Sequence, residues 1–169
     1  GRETGLTRAV VTQRLADLHA SGVIVEPGNE ASTGGRPPKQ VKFNANRGHL
    51  LVADLGATSI DVAIADLLGR VLVHRSEPAD VAAGPERVLG RVEQLFEEVL
   101  EEADPLSGLL WGVGVGVPGP VEFTAGRPVA PPIMPGWDNF PIRERLSERF
   151  SAPVWVDNDV NVMALGEKA

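Results

Sequence analysis

Residues 50–66 read LLVADLGATSIDVAIAD, and the fold follows from how this stretch is parsed. Leu50–Asp54 is an apolar run that ends at Asp54-Leu55-Gly56-Ala57-Thr58-Ser59, and Ile60–Asp66 is a second run of the same length class. Two β-branched, apolar runs separated by a short Gly-containing segment read as a hairpin. A further turn at Leu68-Gly69-Arg70 leads into Val71–Arg75, so three strands form an antiparallel meander.

Downstream the pattern changes period. Pro85–Glu102 places Val88, Val92, Leu95, Phe96 and Val99 on one helical face, with acids on the exposed side. Leu109–Val117 is apolar enough to predict a strand buried on both faces. Pro141–Phe150 predicts a short helix with Ile142, Leu146 and Phe150 inward. Val154–Val156 reads as a strand and Asp159–Lys168 as a last helix. The order β-β-β-α-β-α-β-α, a meander followed by parallel crossovers, predicts an α/β lobe of the ribonuclease H-like, actin-like ATPase type.

Upstream the character is different. Thr7 stands where it can N-cap a helix to Ala20, along which Val11, Leu15 and Leu18 form a stripe and Ala9, Thr12, Gln13 and Ala16 face away. Arg8 and Arg14 flank the stripe, and Gly22 suits the left-handed position past the helix end. Val23–Val25 and Val41–Phe43 read as strands around a tip, Ser32-Thr33-Gly34-Gly35-Arg36-Pro37-Pro38-Lys39. A helix with a small, polar and basic face suits a DNA major groove, and an Arg-tipped hairpin suits the minor groove. This predicts a partial winged helix-turn-helix over residues 1–46, joined at Asn44–Gly48 to the α/β lobe over 47–169. The first helix and most of the second that such a domain needs are not in these residues.

Charge supports the same division. The 169 residues carry a net charge of −7, yet residues 1–48 sum to +3 and the remainder to −10. A run of about 18 apolar residues, which a membrane span needs, is absent, and no secretory signal opens the chain. Without Cys there is no disulfide or thiolate site, and three scattered His exclude a His-based metal cluster, so no metal site is expected in this chain. A cytoplasmic protein without membrane contact is expected.

Three strand-end loops carry the candidate chemistry. Asp54-Leu55-Gly56-Ala57-Thr58-Ser59 offers a carboxylate beside small residues whose N–H groups can approach phosphate oxygens, although a plain tight turn would look the same. Gly114–Val121, GVGVPGPV, fixes a strand exit that lets backbone sit close to a ligand, or forms a rigid turn. Val156-Asp157-Asn158-Asp159-Val160-Asn161 places Asp159 at a helix start, either as a first-turn acid or as a general base, with Asn158 able to grip a hydroxyl.

Together STGGRPP, DLGATSIDVAIAD, GVGVGVPGPV, PPIMPGW and VDNDVNVMALGE resemble the ROK family of bacterial sugar kinases and sugar-responsive transcription regulators. The resemblance runs over essentially the whole chain. It implies phosphate binding by Asp54, Gly56 and Thr58, sugar binding by Pro118, Gly119, Asn158 and Asp159, and a minor-groove contact by Arg36; the helix face adds Arg8, Thr12 and Gln13 toward DNA bases, with Lys39 and Lys42 toward DNA phosphates. Asp159 is catalytic only if the protein is a kinase. The winged segment points to a regulator, or repressor, whose partners are double-stranded DNA and a sugar or sugar phosphate, with homo-oligomerisation of the parent protein. Two departures from the kinase pattern point the same way. Ala57 stands where kinases have a second Gly, and Pro132-Ile133-Met134 offers no amide where they have an Asn. The alternative is an ATP-dependent sugar kinase acting on a hexose hydroxyl. The resemblance puts Mg-ATP closure and a structural zinc in a second lobe, so these residues are expected to be a fragment with no cofactor of their own.

Overall fold

Alternation of apolar side chains builds one buried face. The computed structural model describes residues 5–26, 40–103 and 109–167. The chain divides into two units, Gly1–Arg47 and Gly48–Ala169.

In the second unit five strands form a mixed sheet in the order β5-β4-β3-β6-β9. They are β3 (Gly48–Leu55), β4 (Ser59–Asp66), β5 (Val71–Pro78), β6 (Leu109–Val117) and β9 (Val154–Asn158). β3, β4 and β5 are antiparallel neighbours, whereas β6 runs parallel to β3 and β9 parallel to β6. Leu51, Ala53 and Leu55, Ile60, Val62 and Ile64, Val113, Val115 and Val117, and Val154 and Val156 enter one core. Helix α2 (Pro85–Glu102) supplies Val88, Leu89, Val92, Leu95, Phe96 and Val99, and α3 (Ile142–Phe150) supplies Ile142 and Leu146. Phe96 and Phe150 meet edge to face, with ring centroids 5.4 Å apart, a favoured aromatic geometry. A short helix α4 (Asp159–Gly166) follows β9 directly.

Several boundaries differ from the sequence expectation. The third meander strand extends from Arg75 to Pro78, because Glu77 and Pro78 pair with Ile60 and Ser59. Proline has no N–H to donate and fits this end position on an edge strand. β9 continues through Asp157 and Asn158, which therefore belong to the strand and not to a loop. α4 ends at Gly166, and Lys168 lies outside the described residues. β6 is not buried along its length on both faces: Leu109 is 60 % and Trp111 41 % exposed. The strand reads as apolar because Gly112, Gly114 and Gly116 alternate with the core valines, and these glycines present no side chain to the second face. A small hairpin of β7 (Val121–Glu122) and β8 (Arg127–Pro128) was not expected. Gly126 makes its turn with φ +66°, and Glu122 accepts the N–H groups of Thr124 and Ala125.

In the first unit α1 (Arg8–Ala20) is capped by Thr7, whose Oγ1 accepts from Val10 N. β1 (Ile24–Val25) and β2 (Lys42–Phe43) pair antiparallel and are each shorter than the apolar triplets suggested. Leu15 and Leu18 of the expected inward stripe are 39 % and 41 % exposed, since no residue of α1 is buried. The expected joining stretch is itself tied to this unit. Asn44 Nδ2 donates to Gly22 O and Arg47 Nε to Ser21 O. Gly22, at φ +75°, leaves space that a Cβ would take from the Arg47 side chain.

Candidate functional site

The three parallel strands end on the same side of the sheet, and such carboxyl ends are where open α/β sheets place ligands. β3 ends at Asp54-Leu55, and the chain reverses through Gly56-Ala57-Thr58, with Gly56 N donating to Ser59 O at 2.9 Å. This turn fixes the register so that Asp54 stands directly opposite Asp61. On the neighbouring strand Gly116 pairs with Asp54 on one side and with Asp157 on the other. A Cβ at Gly116 would lie 2.9 Å from Asp54 Oδ1 and 3.6 Å from the Asp159 Cα. Glycine at this position therefore lets the acidic ends of β3 and α4 approach each other.

The resulting cluster has a definite electrostatic character. Partial desolvation, then the charge of Asp159 and then that of Asp61, push the Asp54 carboxyl above the usual carboxylate range. His74 Nε2 lies 3.2 Å from Asp61 Oδ1 on the adjoining strand. Asp61 did not stand out in the sequence, although a four-residue turn from Gly56 to Ser59 is enough to place it opposite Asp54.

Asn158 is the N-cap of α4. Its Oδ1 accepts from Val160 N at 3.1 Å, while Nδ2 donates to Gly119 O at 3.1 Å. Asp159 occupies the first turn, and its Oδ1 also accepts from Val160 N. Asn158 thus sits against Gly119, and Pro118 and Asp159 are their neighbours along the chain. Gly119 is buried, and a Cβ there would come 2.8 Å from Pro131 Cβ and 3.2 Å from Met134 Sδ. The loop containing Pro132-Ile133-Met134 packs on Gly119 through Met134, which is 1 % exposed.

Of the expected phosphate residues, Asp54 lies in the acid cluster, whereas Gly56 and Thr58 lie on the turn beside it. A Cβ at Gly56 would meet Ser59 Oγ at 2.9 Å, so the turn itself requires this glycine. Thr58 is exposed, and its carbonyl accepts from Ala79 N at 3.0 Å. Ala57 O accepts from Val81 N at 3.2 Å. A 3-10 turn, Val81–Ala83, is thereby bound to the hairpin. The same turn holds Trp137, fully buried, whose Nε1 donates to Val81 O at 3.0 Å. Trp137 was legible as part of PGW, but its link to residue 81 was not, because nothing in the sequence joins positions 56 residues apart.

On α1, Arg8, Thr12 and Gln13 are all exposed. Thr12 Oγ1 donates to Arg8 O at 2.9 Å and Gln13 Nε2 to Asp17 Oδ1 at 2.9 Å. Lys42 is exposed on β2. Arg36 and Lys39 lie outside the described residues. Among the described residues no group of three or more His, Asp or Glu is arranged to hold a metal ion, and no helix is long and apolar enough to cross a membrane.

A mixed α/β sheet with its acids gathered at the parallel strand ends is the architecture of actin-like sugar-kinase domains and their relatives. The chain belongs to the ROK family, whose model matches residues 51–169. A xylose repressor of Caldicellulosiruptor bescii is 31 % identical over 96 % of this chain and 41 % of its own length. A glucokinase of Thermotoga maritima is 32 % identical over 70 % of this chain and 36 % of its own. Among solved structures, a ROK family transcriptional regulator described as a homologue of the E. coli MLC protein aligns with TM-score 0.77 and 25 % identity, covering 99 % of this chain and 42 % of that one. A ROK family glucokinase from Streptomyces griseus, in complex with glucose and AMPPNP, aligns with TM-score 0.61 over 71 % of this chain. The chain spans about two-fifths of the length of the relatives it matches.

Proposed function

We propose that this chain belongs to a DNA-binding transcription regulator of ROK type that responds to a sugar or sugar phosphate. One observation carries the reading. Relatives named as repressors or transcriptional regulators match 96 to 99 % of the chain, whereas the glucokinases match about 70 %, close to the span of the family model alone. What distinguishes the two groups is thus a counterpart to the first unit. On this reading residues 1–46 contribute a partial winged helix-turn-helix. Arg8, Thr12 and Gln13 face base edges from α1, Arg36 enters a minor groove, and Lys39 and Lys42 meet phosphates.

The sugar lies against Pro118, Gly119, Asn158 and Asp159, with any phosphate toward Asp54, Gly56 and Thr58. Asn158 is suited to this, because its cap and its bond to Gly119 fix the amide at the strand end. A sugar that binds one arrangement of the protein better than another shifts their populations and so changes DNA affinity. Double-stranded DNA and the sugar are the partners, and dimerisation on paired half-sites is expected.

Base substitution in a selected operator tests the DNA-binding half. Arg8→Ala is expected to cost about 1–3 kcal/mol at one base pair, and Lys42→Ala to lower the salt slope by about 1 with no change in sequence preference. Equal effects of both variants on all sequences would remove α1 as the reading element.

A second reading, an ATP-dependent sugar kinase, is favoured by the proximity of Asp54 and Asp159 across Gly116. Asp159 would then take the proton of the sugar hydroxyl, and Asp54 with the N–H groups of Ala57 and Thr58 would hold the cation and phosphates of Mg-ATP. The nucleotide supplies the transferred phosphoryl group when bound. A structural zinc finds no ligand set among the described residues. Sugar-dependent ADP release by the full-length protein, abolished in Asp159→Asn, would establish this reading.

A further inference from the structure

A groove of about 600 Å³ opens between the end of β5, the residues that follow it and the first half of α2. Its volume lies within the range of small-ligand sites. It is separate from the acid cluster, because Ile60, which lines it, points to the core face while its neighbour Asp61 faces Asp54. Pro78 and Ala83, over the nearly buried Ile60 and Val88, give it a small apolar patch within a lining that is otherwise polar.

The charges at its rim are not all compensated. Arg91 holds Glu77 through two bonds, of 2.7 and 2.8 Å, and reaches Glu98 at 3.0 Å. Asp80 Oδ1 accepts from Ala82 N at 2.9 Å. Glu86, one residue before the rim arginine, is paired with Arg145. Arg87 is exposed at the rim and makes no hydrogen bond or ion pair among the described residues. A guanidinium free beside a small apolar patch fits a planar carboxylate, which it can bind through two parallel N–H donors. Asp80, which lines the same groove, disfavours a doubly charged group, since like charges repel.

From these features we infer that the groove is a binding site for a small organic monocarboxylate, its head on Arg87 and its apolar body on Pro78 and Ala83. The site lies beside a junction. Val81, between the groove residues Asp80 and Ala83, bonds to Ala57 of the strand-end hairpin through its N–H and to Trp137 through its carbonyl. A ligand that displaces the Val81–Ala83 turn therefore acts on the hairpin and on the loop over Gly119 at once.

The test is a titration of the 169-residue chain with butyrate, acetate, butanol and inorganic phosphate, followed by amide and indole NMR shifts. Butyrate is expected to give saturable shifts at Ala79, Ala83 and Val88 and at the Trp137 indole. Acetate binds more weakly for lack of a body, phosphate more weakly for its charge, and butanol produces no saturation. Arg87→Gln weakens butyrate roughly tenfold or more. The exposed, unbonded position of Arg87 leaves the rest of the spectrum as in the unaltered chain. Asp54→Asn leaves butyrate binding unchanged, which separates this site from the strand-end one. Shifts that do not saturate, that survive Arg87→Gln, or that follow phosphate more strongly than butyrate would overturn the inference.

Discussion

Trp137→Phe tests the packing argument most sharply. Trp137 is fully buried, and its indole N–H is bonded to Val81 O at 3.0 Å. Phenylalanine removes the donor and leaves Val81 O with only the longer bond from Gly84 N, at 3.4 Å, so the loss is that of one hydrogen bond, about 0.5–1.5 kcal/mol. The smaller ring leaves part of the site empty and adds up to about 1 kcal/mol. Together these predict a loss of about 0.5–2.5 kcal/mol, or a fall in Tm of roughly 2–10 °C at roughly 4 °C per kcal/mol for a unit of this size. Circular dichroism melts and urea denaturation read it directly. Trp155→Phe is the comparison: that ring is 50 % exposed and lies over Gly112, so its replacement costs less than about 1 kcal/mol. A Trp137→Phe melting point within about 1 °C of the original would refute the claim that this indole ties the 129–137 loop to the Val81–Ala83 turn.

Further expectations concern charge and space at the strand ends. Asp61→Asn lowers the Asp54 pKa toward its ordinary value, read by carboxyl NMR, and an unchanged titration would mean that the two acids do not interact. Because the folded-state value of Asp54 is raised, its contribution to stability is lost as pH rises through that value. Removing the Asp61 charge makes the loss smaller. His49 is buried with Nδ1 unbonded among the described residues, and desolvation lowers its pKa from 6.5. The unfolded chain therefore takes up a proton first on acidification, and stability falls below about pH 6.5. His49→Gln should flatten the dependence of urea stability between about pH 7 and 5 relative to the unaltered chain. Gly116→Ala, whose Cβ would press on Asp54 Oδ1, is expected to cost about 1–3 kcal/mol. Gly114→Ala, with nothing within 4 Å, should change stability by less than about 0.5 kcal/mol. Equal costs for the two would show that the Gly116 contact is not the cause.

Much of this fold was legible because its strands obey a local rule. Leu51, Ala53 and Leu55 are buried and alternate with the exposed Val52 and Asp54, and α2 carries its apolar stripe without interruption. The α/β class and the order of the main elements followed. Less legible was whatever depends on register or on distance along the chain. β6 misled because glycine counts as apolar in composition while covering nothing. The extension of β5 to Pro78 depends on its pairing with Ser59, and Asp61 enters the site through pairing with Asp54. Asn158, Asp159, Pro118 and Gly119 were proposed through the family resemblance, and the structure joins Asn158 to Gly119 without assigning their roles. The tie from Trp137 to Val81 and the groove beside Arg87 are tertiary, and no motif records them. On α1 the stripe of Val11, Leu15 and Leu18 was a true helical pattern. Its burial is decided by what packs on the helix, which periodicity cannot specify.

The most direct test of the account is DNA binding by the full-length protein to the region upstream of its own gene, at two salt concentrations, with and without a panel of sugars that includes xylose and glucose. The account predicts sequence-specific binding that weakens with salt through phosphate contacts and changes in response to one sugar. Absence of specific binding under every condition, together with sugar-dependent ADP release, would contradict it and leave the kinase reading in its place.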